Sequence, residues 1–227
     1  MNFQLPLETS DAEAAAPATL DIHVDGVTAL LDFVSTARHH PRLIFISSLT
    51  AVLRCKDKVP EHVVSDHDVP ESSGYAQSKW MGEQIIEAAA QSRALVQRPM
   101  IVRMGQIAGP LPHVEVQNGS GSIWDPRQTV PNLVLSSKTL GALPASLGEK
   151  MKLRRIPVDI CARIILNLAG HADEADEQRS ANVYNITKLT KNDGEVTRIT
   201  DILPLVKQRL DRRCQTHPRR LCPYKNG

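Results

Sequence analysis

The chain has 227 residues, 41% of them hydrophobic and 23% charged, which is typical of a globular fold with one good core. Its formal net charge of +2 gives no strong field to attract nucleic acid or a membrane surface. No apolar run approaches the ~18 residues that a membrane span needs.

The start of the chain and the cysteine content indicate the compartment. The first 16 residues carry acidic but no basic side chains, unlike a secretory signal. Without such a signal, the four cysteines are predicted to be reduced thiols. We therefore expect a cytoplasmic protein, with neither nucleic acid nor a membrane among its partners.

The first half of the chain alternates helical and strand patterns. Residues 21–37 have the periodicity of an amphipathic helix. Residues 43–46 form a continuous apolar run that ends in two serines, as in a parallel strand buried on both faces. A polar loop with two prolines leads to a predicted helix over residues 75–92, and a second buried strand is expected at residues 101–103.

The second half has weaker patterns. Residues 105–128 contain four glycines and three prolines and are predicted to form a long loop. Helical stretches are then expected at residues 130–140, from residue 159 to about residue 169, and at residues 199–210, with a short strand at residues 183–186. This succession predicts an α/β fold with a doubly wound parallel sheet.

Tyr75 and Lys79 form a Tyr-x-x-x-Lys motif at the start of the helix predicted over residues 75–92. A spacing of four places the phenol and the ammonium on one helical face. A phenol has a pKa near ~10, and a neighbouring cation favours its ionised form, so the pair suits acid–base chemistry. The alternative is a surface tyrosine and lysine that share a face by accident.

Ser48 strengthens the catalytic interpretation of this pair. It ends the strand predicted before the helix, and ligands of open α/β sheets bind outside the carboxyl ends of the strands. A hydroxyl there can donate to a substrate carbonyl oxygen while Tyr75 delivers a proton. The alternative is that Ser47 and Ser48 only end the strand and bond to local backbone.

Three segments together form a recognisable pattern: Phe45-Ile-Ser-Ser48, Gly74-Tyr-Ala-Gln-Ser-Lys79 and Arg103-Met-Gly-Gln-Ile-Ala-Gly-Pro110. They resemble segments of extended short-chain dehydrogenase/reductases, and more narrowly the thioester reductase domains of fungal nonribosomal-peptide-synthetase-like and carboxylate-reducing enzymes. The resemblance implies a Rossmann-like fold and hydride transfer from NADPH (NADP) to an acyl thioester, which releases an aldehyde. The implied partners are an acyl carrier domain bearing a phosphopantetheine thioester and a small-molecule acyl substrate.

The resemblance also implies roles for individual residues. Ser48 would bond the thioester carbonyl, Tyr75 would protonate the oxyanion, and Lys79 would hold the cofactor ribose. The residues expected against the cofactor are Tyr75, Lys79, Arg103, Gly105, Gln106 and Ile107. Trp124 would cover the substrate or, alternatively, act as a partly buried anchor. His23 occupies a position where many relatives carry an asparagine of a proton relay.

A glycine-rich strand–turn–helix, which holds the cofactor pyrophosphate in such enzymes, is not found in this sequence. We therefore expect an incomplete sheet that lacks the first βα units. The expected parts are the Rossmann-like portion at residues 1–110, a small substrate-binding region with returning Rossmann elements at residues 111–210, and a tail. The alternatives are a non-catalytic remnant or interaction module, and an NAD-dependent epimerase or dehydratase.

The tail, residues 211–227, is basic and has no periodic pattern, so it is predicted to be disordered. It contains Cys214, His217 and Cys222, which resemble a zinc-ligand set. Three ligands are fewer than the four of a structural zinc site. No metal site is therefore predicted.

Overall fold

The computed structural model describes residues 17–111, 124–140, 155–170, 180–187 and 208. The helix predicted at residues 199–210 and the tail at 211–227 lie outside the described residues, apart from residue 208. The chain divides into two compact units. Unit 1 comprises Met1–Gly105 and Cys161–Thr187, and unit 2 comprises Gln106–Ile160 and Lys188–Gly227.

Nine helices and strands are described, together with one short 3-10 turn at Leu49–Val52. In chain order they are α1 (Pro17–Thr36), β1 (Ile44–Ser48), α2 (Gly74–Gln91), β2 (Met100–Met104), β3 (Gln106–Ala108), α3 (Thr129–Leu140), β4 (Arg155–Pro157), α4 (Val158–Gly170) and β5 (Asn182–Ile186). None of the helices in these ranges is both long and apolar enough to cross a bilayer.

Unit 1 is built on a three-stranded sheet in the order β1-β2-β5. Both strand pairs are parallel, so the α/β class and the parallel sheet predicted from the buried apolar runs are confirmed. All five residues of β2 are buried, as expected for the central strand of a covered sheet. The carboxyl ends of β1, β2 and β5 therefore lie side by side.

The core of unit 1 lies between the sheet and two helices. Leu31 and Val34 of α1 and Ile86 of α2 pack with Ile101 of β2 and Val183 of β5. Helix α2 begins where the side chain of Ser73 accepts a hydrogen bond from the main-chain nitrogen of Ala76. This cap fixes the start of the helix that carries the Tyr-x-x-x-Lys motif.

Gly82 allows α2 to approach β1 closely. A Cβ atom at this position would lie 2.8 Å from Cζ of Phe45. Both residues belong to unit 1, and Phe45 packs against the core cluster. The absence of a side chain at Gly82 therefore sets the distance between the helix and the strand.

In unit 2, β3 and β4 pair in parallel, with Gln106 opposite Arg155 and Ala108 opposite Pro157. The prediction of an unbroken loop over residues 105–128 was wrong at residues 106–108. A strand of three residues is too short to show a period of two, and the neighbouring glycine and proline residues favour a loop in any local pattern.

Candidate active site

Ser48 lies at the carboxyl end of β1, where it also caps the 3-10 turn that follows. Its Oγ atom accepts hydrogen bonds from the main-chain nitrogen of Thr50 at 3.2 Å and from Thr50 Oγ1 at 2.8 Å. A hydroxyl oxygen has two lone pairs and one proton. The bonds recorded among the described residues use Ser48 as an acceptor, so its proton suits donation to a carbonyl oxygen.

Tyr75 and Lys79 occupy the first two turns of α2. The Tyr75 side chain is 42% exposed and so can meet a ligand. The Nζ atom of Lys79 lies 5.7 Å from the centroid of the Tyr75 ring and 5.1 Å from that of Phe45. The structure thus brings the motif's phenol and ammonium together, at the end of the sheet where β1 places Ser48.

The charge of Lys79 is held in a partly desolvated position. Burial lowers the pKa of Lys79 below its ordinary value. The pKa of His23 is also lowered, first by burial and second by the positive charge of Lys79. The imidazole of His23 therefore lies within electrostatic range of Lys79, and its neutral form is favoured.

A row of three polar residues crosses the sheet one position before its carboxyl edge. Ser47 is opposite Arg103, and Arg103 is opposite Asn185. Residues that pair in register project to the same face of a sheet, so this row faces one side.

Glu83 of α2 closes this row into a buried network. Its carboxylate accepts from Ser47 Oγ, from Arg103 Nη2 at 2.7 Å and from Arg103 Nε at 3.0 Å. Glu83 and Arg103 have no exposed surface, and Ser47 is 2% exposed. A buried charge must be paired, and here the pairing is bidentate.

The guanidinium of Arg103 is occupied by hydrogen bonds within unit 1. Its guanidinium donates to the carboxylate of Glu83 and to the main-chain oxygens of Pro60 and His62, at 2.9 and 3.0 Å. The side chain expected against the cofactor is thus buried and bonded inside unit 1. Sequence reasoning missed Glu83, although an arginine in an apolar strand signals a buried acidic partner.

The loop that follows β1 is held by side chains from three elements. Besides Arg103, Asn185 of β5 donates to the main-chain oxygen of Val59 at 3.1 Å. Trp80 and Gln84 of α2 both donate to the main-chain oxygen of Val64, at 2.8 and 2.9 Å. We call residues 59–64 the anchored loop, because these bonds fix its backbone to the sheet and to α2.

The other residues expected at the cofactor lie after β2. The main-chain nitrogen of Gly105 donates to the oxygen of Ile186 at 2.8 Å, and a Cβ atom at Gly105 would meet that oxygen at 3.2 Å. Gln106 and Ile107 belong to β3 in unit 2, and both are exposed. Their side chains are therefore accessible to a ligand.

Trp124 is half-buried within unit 2. Its Nε1 atom donates to Gln128 Oε1, and the guanidinium of Arg155 lies 5.6 Å from the centroid of the indole ring. A Cβ atom at Gly109 would lie 2.8 Å from Cβ of Trp124. These contacts are those of an anchor residue, which was one of the two roles expected for Trp124.

These features define a class of protein. A parallel α/β sheet in which a strand ends in a serine and the next helix opens with a tyrosine–lysine pair fits the Rossmann-like fold expected from the sequence. Residues 10–165 match the NAD-binding domain family described as Male sterility protein. The chain belongs to this family.

Individual relatives agree with this assignment. The chain is 30% identical over 161 residues to a carboxylic acid reductase of Neurospora crassa, a match that covers 70% of this chain and 14% of the relative. An adenylate-forming reductase, Nps10 of Heterobasidion annosum, is 29% identical over 170 residues, covering 74% of this chain and 13% of the relative. The expected resemblance to reductase domains of fungal carboxylate-reducing and nonribosomal-peptide-synthetase-like enzymes is confirmed.

The solved structures show the same fold. The reductase domain of an aureusimine biosynthetic cluster matches with a TM-score of 0.54 and 18% identity, covering 90% of this chain and 53% of the other. A UDP-N-acetylglucosamine 4-epimerase from Methanobrevibacter ruminantium matches with a TM-score of 0.59 and 18% identity, covering 90% and 58%. The chain thus spans little more than half of these structures.

Proposed function

We propose that this protein performs the reductive release of an acyl group from a carrier-bound thioester, with NADPH as the reductant and an aldehyde as the product. The observation that carries the proposal is the position of the Lys79 ammonium beside the Tyr75 ring, with Ser48 at the end of the adjacent strand. The similarity to a carboxylic acid reductase supports the choice of this reaction among those of the fold.

The donors at this end of the sheet fit the nicotinamide half of the cofactor. The Lys79 ammonium suits the ribose hydroxyls, and the exposed ring of Tyr75 and the backbone of Gly105 are further proposed contacts. When bound, NADPH supplies the hydride that adds to the thioester carbonyl carbon.

We assign to side chains of the protein the hydrogen bonding and protonation of the reacting carbonyl oxygen. The hydroxyl of Ser48 donates to the thioester oxygen and so polarises the carbonyl bond. The phenol of Tyr75 gives its proton to the oxyanion that develops when the carbon is reduced. The charge of Lys79 stabilises the phenolate that remains. When the carbon–sulfur bond breaks, the hydroxyl proton of the reduced carbon centre passes to the departing sulfur, which releases the aldehyde and the carrier thiol. The Tyr75 phenolate then regains its proton from solvent.

The proposed partner is an acyl carrier domain that bears a phosphopantetheine thioester. Octanoyl-coenzyme A contains the same phosphopantetheine arm and is therefore a suitable soluble probe. We expect a protein that joins this chain to a glycine-rich cofactor-binding segment to convert NADPH and octanoyl-coenzyme A into octanal, coenzyme A and NADP in equal amounts, and this protein carries the variants tested below. Product analysis by mass spectrometry, together with the loss of NADPH absorbance, measures this reaction.

Two tyrosine variants make the test specific. Tyr75→Phe removes the proton donor and should lower kcat by about 10²–10⁴-fold, with little change in NADPH affinity. Tyr184→Phe removes a phenol from β5 and should leave kcat unchanged. Octanal formation that is no faster with the wild-type protein than with Tyr75→Phe would contradict the proposed function.

A further inference from the structure

Glu83 links the two elements that carry the proposed catalytic residues. Its carboxylate accepts a hydrogen bond from Ser47 of β1 and is paired with Arg103 of β2. Ser47 immediately precedes Ser48, so the bond that holds Ser47 also fixes the backbone from which Ser48 projects. Lys79 and Tyr75 lie four and eight residues before Glu83 on the same helix.

The spacing along α2 makes Glu83 an effective attachment point. Residues four apart on a helix are neighbours on its surface, separated by about 6 Å along the axis. A helix moves largely as a rigid rod over such a distance. A shift at Glu83 is therefore transmitted to Lys79, and then to Tyr75, with little loss.

We propose that Glu83 is a positioning residue that sets the phenol of Tyr75 and the ammonium of Lys79 against the hydroxyl of Ser48. It acts through Ser47 and Arg103 and does not contact the substrate. The inference rests on the proposed function, since that function assigns the three residues to one reaction. Arg103 extends the same support to the anchored loop through Pro60 and His62.

Glu87 provides a matched comparison on the same helix. It lies one turn beyond Glu83, and its carboxylate accepts a hydrogen bond from the main-chain nitrogen of Ala181 at 2.7 Å. Ala181 precedes β5, so this bond ties α2 to the amino end of the sheet, away from Ser48. Glu83 and Glu87 thus hold opposite ends of the sheet.

The test compares Ser47→Ala, Glu83→Gln and Glu87→Gln in the full chain. Glu83→Gln leaves Arg103 buried without a counter-charge and can prevent folding. Ser47→Ala keeps the ion pair between Glu83 and Arg103 and removes only the hydrogen bond from Ser47 to Glu83. It therefore tests the positioning role of Glu83 in a protein that still folds. The measurements are kcat and KM for octanoyl-coenzyme A and NADPH, melting temperature, and amide hydrogen exchange.

We expect Ser47→Ala to lower kcat by about tenfold to a hundredfold, because misplacement of catalytic groups by ~1 Å has effects of this order. The KM values should change little, since the bond acts on the catalytic groups. Amide exchange should become faster in the first two turns of α2 and in the anchored loop. Glu87→Gln should leave kcat unchanged, even where it lowers the melting temperature.

Two results would overturn the inference. One is a folded Ser47→Ala protein with the kcat and amide exchange of the wild type. The other is an equal loss of kcat in Glu87→Gln, which would reduce the effect to general stability. If wild-type protein forms no octanal, the proposed function fails by itself. The exchange rates of Ser47→Ala and Glu87→Gln then decide the positioning role.

Discussion

Lys79 of α2 donates a hydrogen bond from Nζ to the main-chain oxygen of Ile46, 2.9 Å away. Ile46 lies two residues before Ser48 on β1, so the ammonium is held by the strand that carries the proposed carbonyl-binding hydroxyl. The same nitrogen lies 5.7 Å from the centroid of the Tyr75 ring. The hydrogen bond thus fixes to the strand of Ser48 the ammonium that neighbours the proposed proton donor.

Replacing Lys79 by methionine should weaken NADPH binding as well as lower kcat. The variant loses both the proposed donor to the ribose and the charge that stabilises the Tyr75 phenolate. Fluorescence titration with NADPH measures the Kd, and steady-state reduction of octanoyl-coenzyme A measures kcat. Lys138→Met, which removes an exposed lysine of α3, is the control and should change neither value. An unaltered Kd in Lys79→Met would exclude Lys79 from the ribose site.

The lowered pKa of Lys79 predicts a pH dependence of stability. Burial disfavours its charged form in the folded state, so the unfolded chain binds more protons between the lowered pKa and the ordinary value of 10.5. The free energy of unfolding of the wild type should therefore rise, relative to that of Lys79→Met, as pH increases through this window. Urea unfolding of both proteins at several pH values gives the difference, and a flat difference would show that the Lys79 pKa is not lowered.

Removing the hydroxyl of Ser48 should slow the chemical step. Ser48→Ala is expected to lower kcat by about 10²–10³-fold, the usual effect of losing one donor to a developing oxyanion. The variant also loses the acceptor for Thr50, so its melting temperature must be measured beside kcat. Ser35→Ala removes an exposed hydroxyl of α1 and serves as the control. Equal kcat values for Ser48→Ala and Ser35→Ala would show that Ser48 has only a structural role.

Two glycines in helices should respond in opposite directions to alanine. Gly26 of α1 has no atom within 4 Å of an added Cβ, so Gly26→Ala should stabilise the fold by about 0.5–1 kcal/mol. At Gly82 the added atom meets Phe45 at 2.8 Å, and Gly82→Ala should destabilise by about 1–3 kcal/mol. Chemical denaturation measures both changes, and stabilisation by Gly82→Ala would mean that α2 can move away from β1.

Local patterns sufficed for the parts of the molecule that depend on neighbouring residues. The apolar runs predicted parallel strands at β1 and β2. Burial on both faces holds for β2 but was wrong for β1, which lies at the edge of the described sheet and leaves Ile46 39% exposed. The spacing of Tyr75 and Lys79 predicted their proximity, because a helix fixes the positions of residues four apart. The carboxyl end of β1 placed Ser48 at the same edge.

Features that depend on contacts between distant segments were not predictable in the same way. Glu83 and Arg103 are 20 residues apart, and only the packing of α2 on β2 brings them together. The pairing of β3 with β4 joins residues 49 positions apart through strands with no periodic signal. No local rule specifies which of many polar side chains meets which.

The discontinuity of unit 1 has a consequence for its synthesis. Residues 106–160 of unit 2 leave the ribosome before Cys161–Thr187, the segment that completes unit 1. At about 5–20 residues per second, this stretch takes several seconds to produce. During that interval β5 is not available to pair with β2. The main-chain oxygen of Val59 also lacks its donor Asn185, which lies 126 positions further along the chain. Until β5 has been synthesised, one edge of β2 therefore has no partner strand, and an unpaired edge with apolar residues beside Arg103 is prone to association.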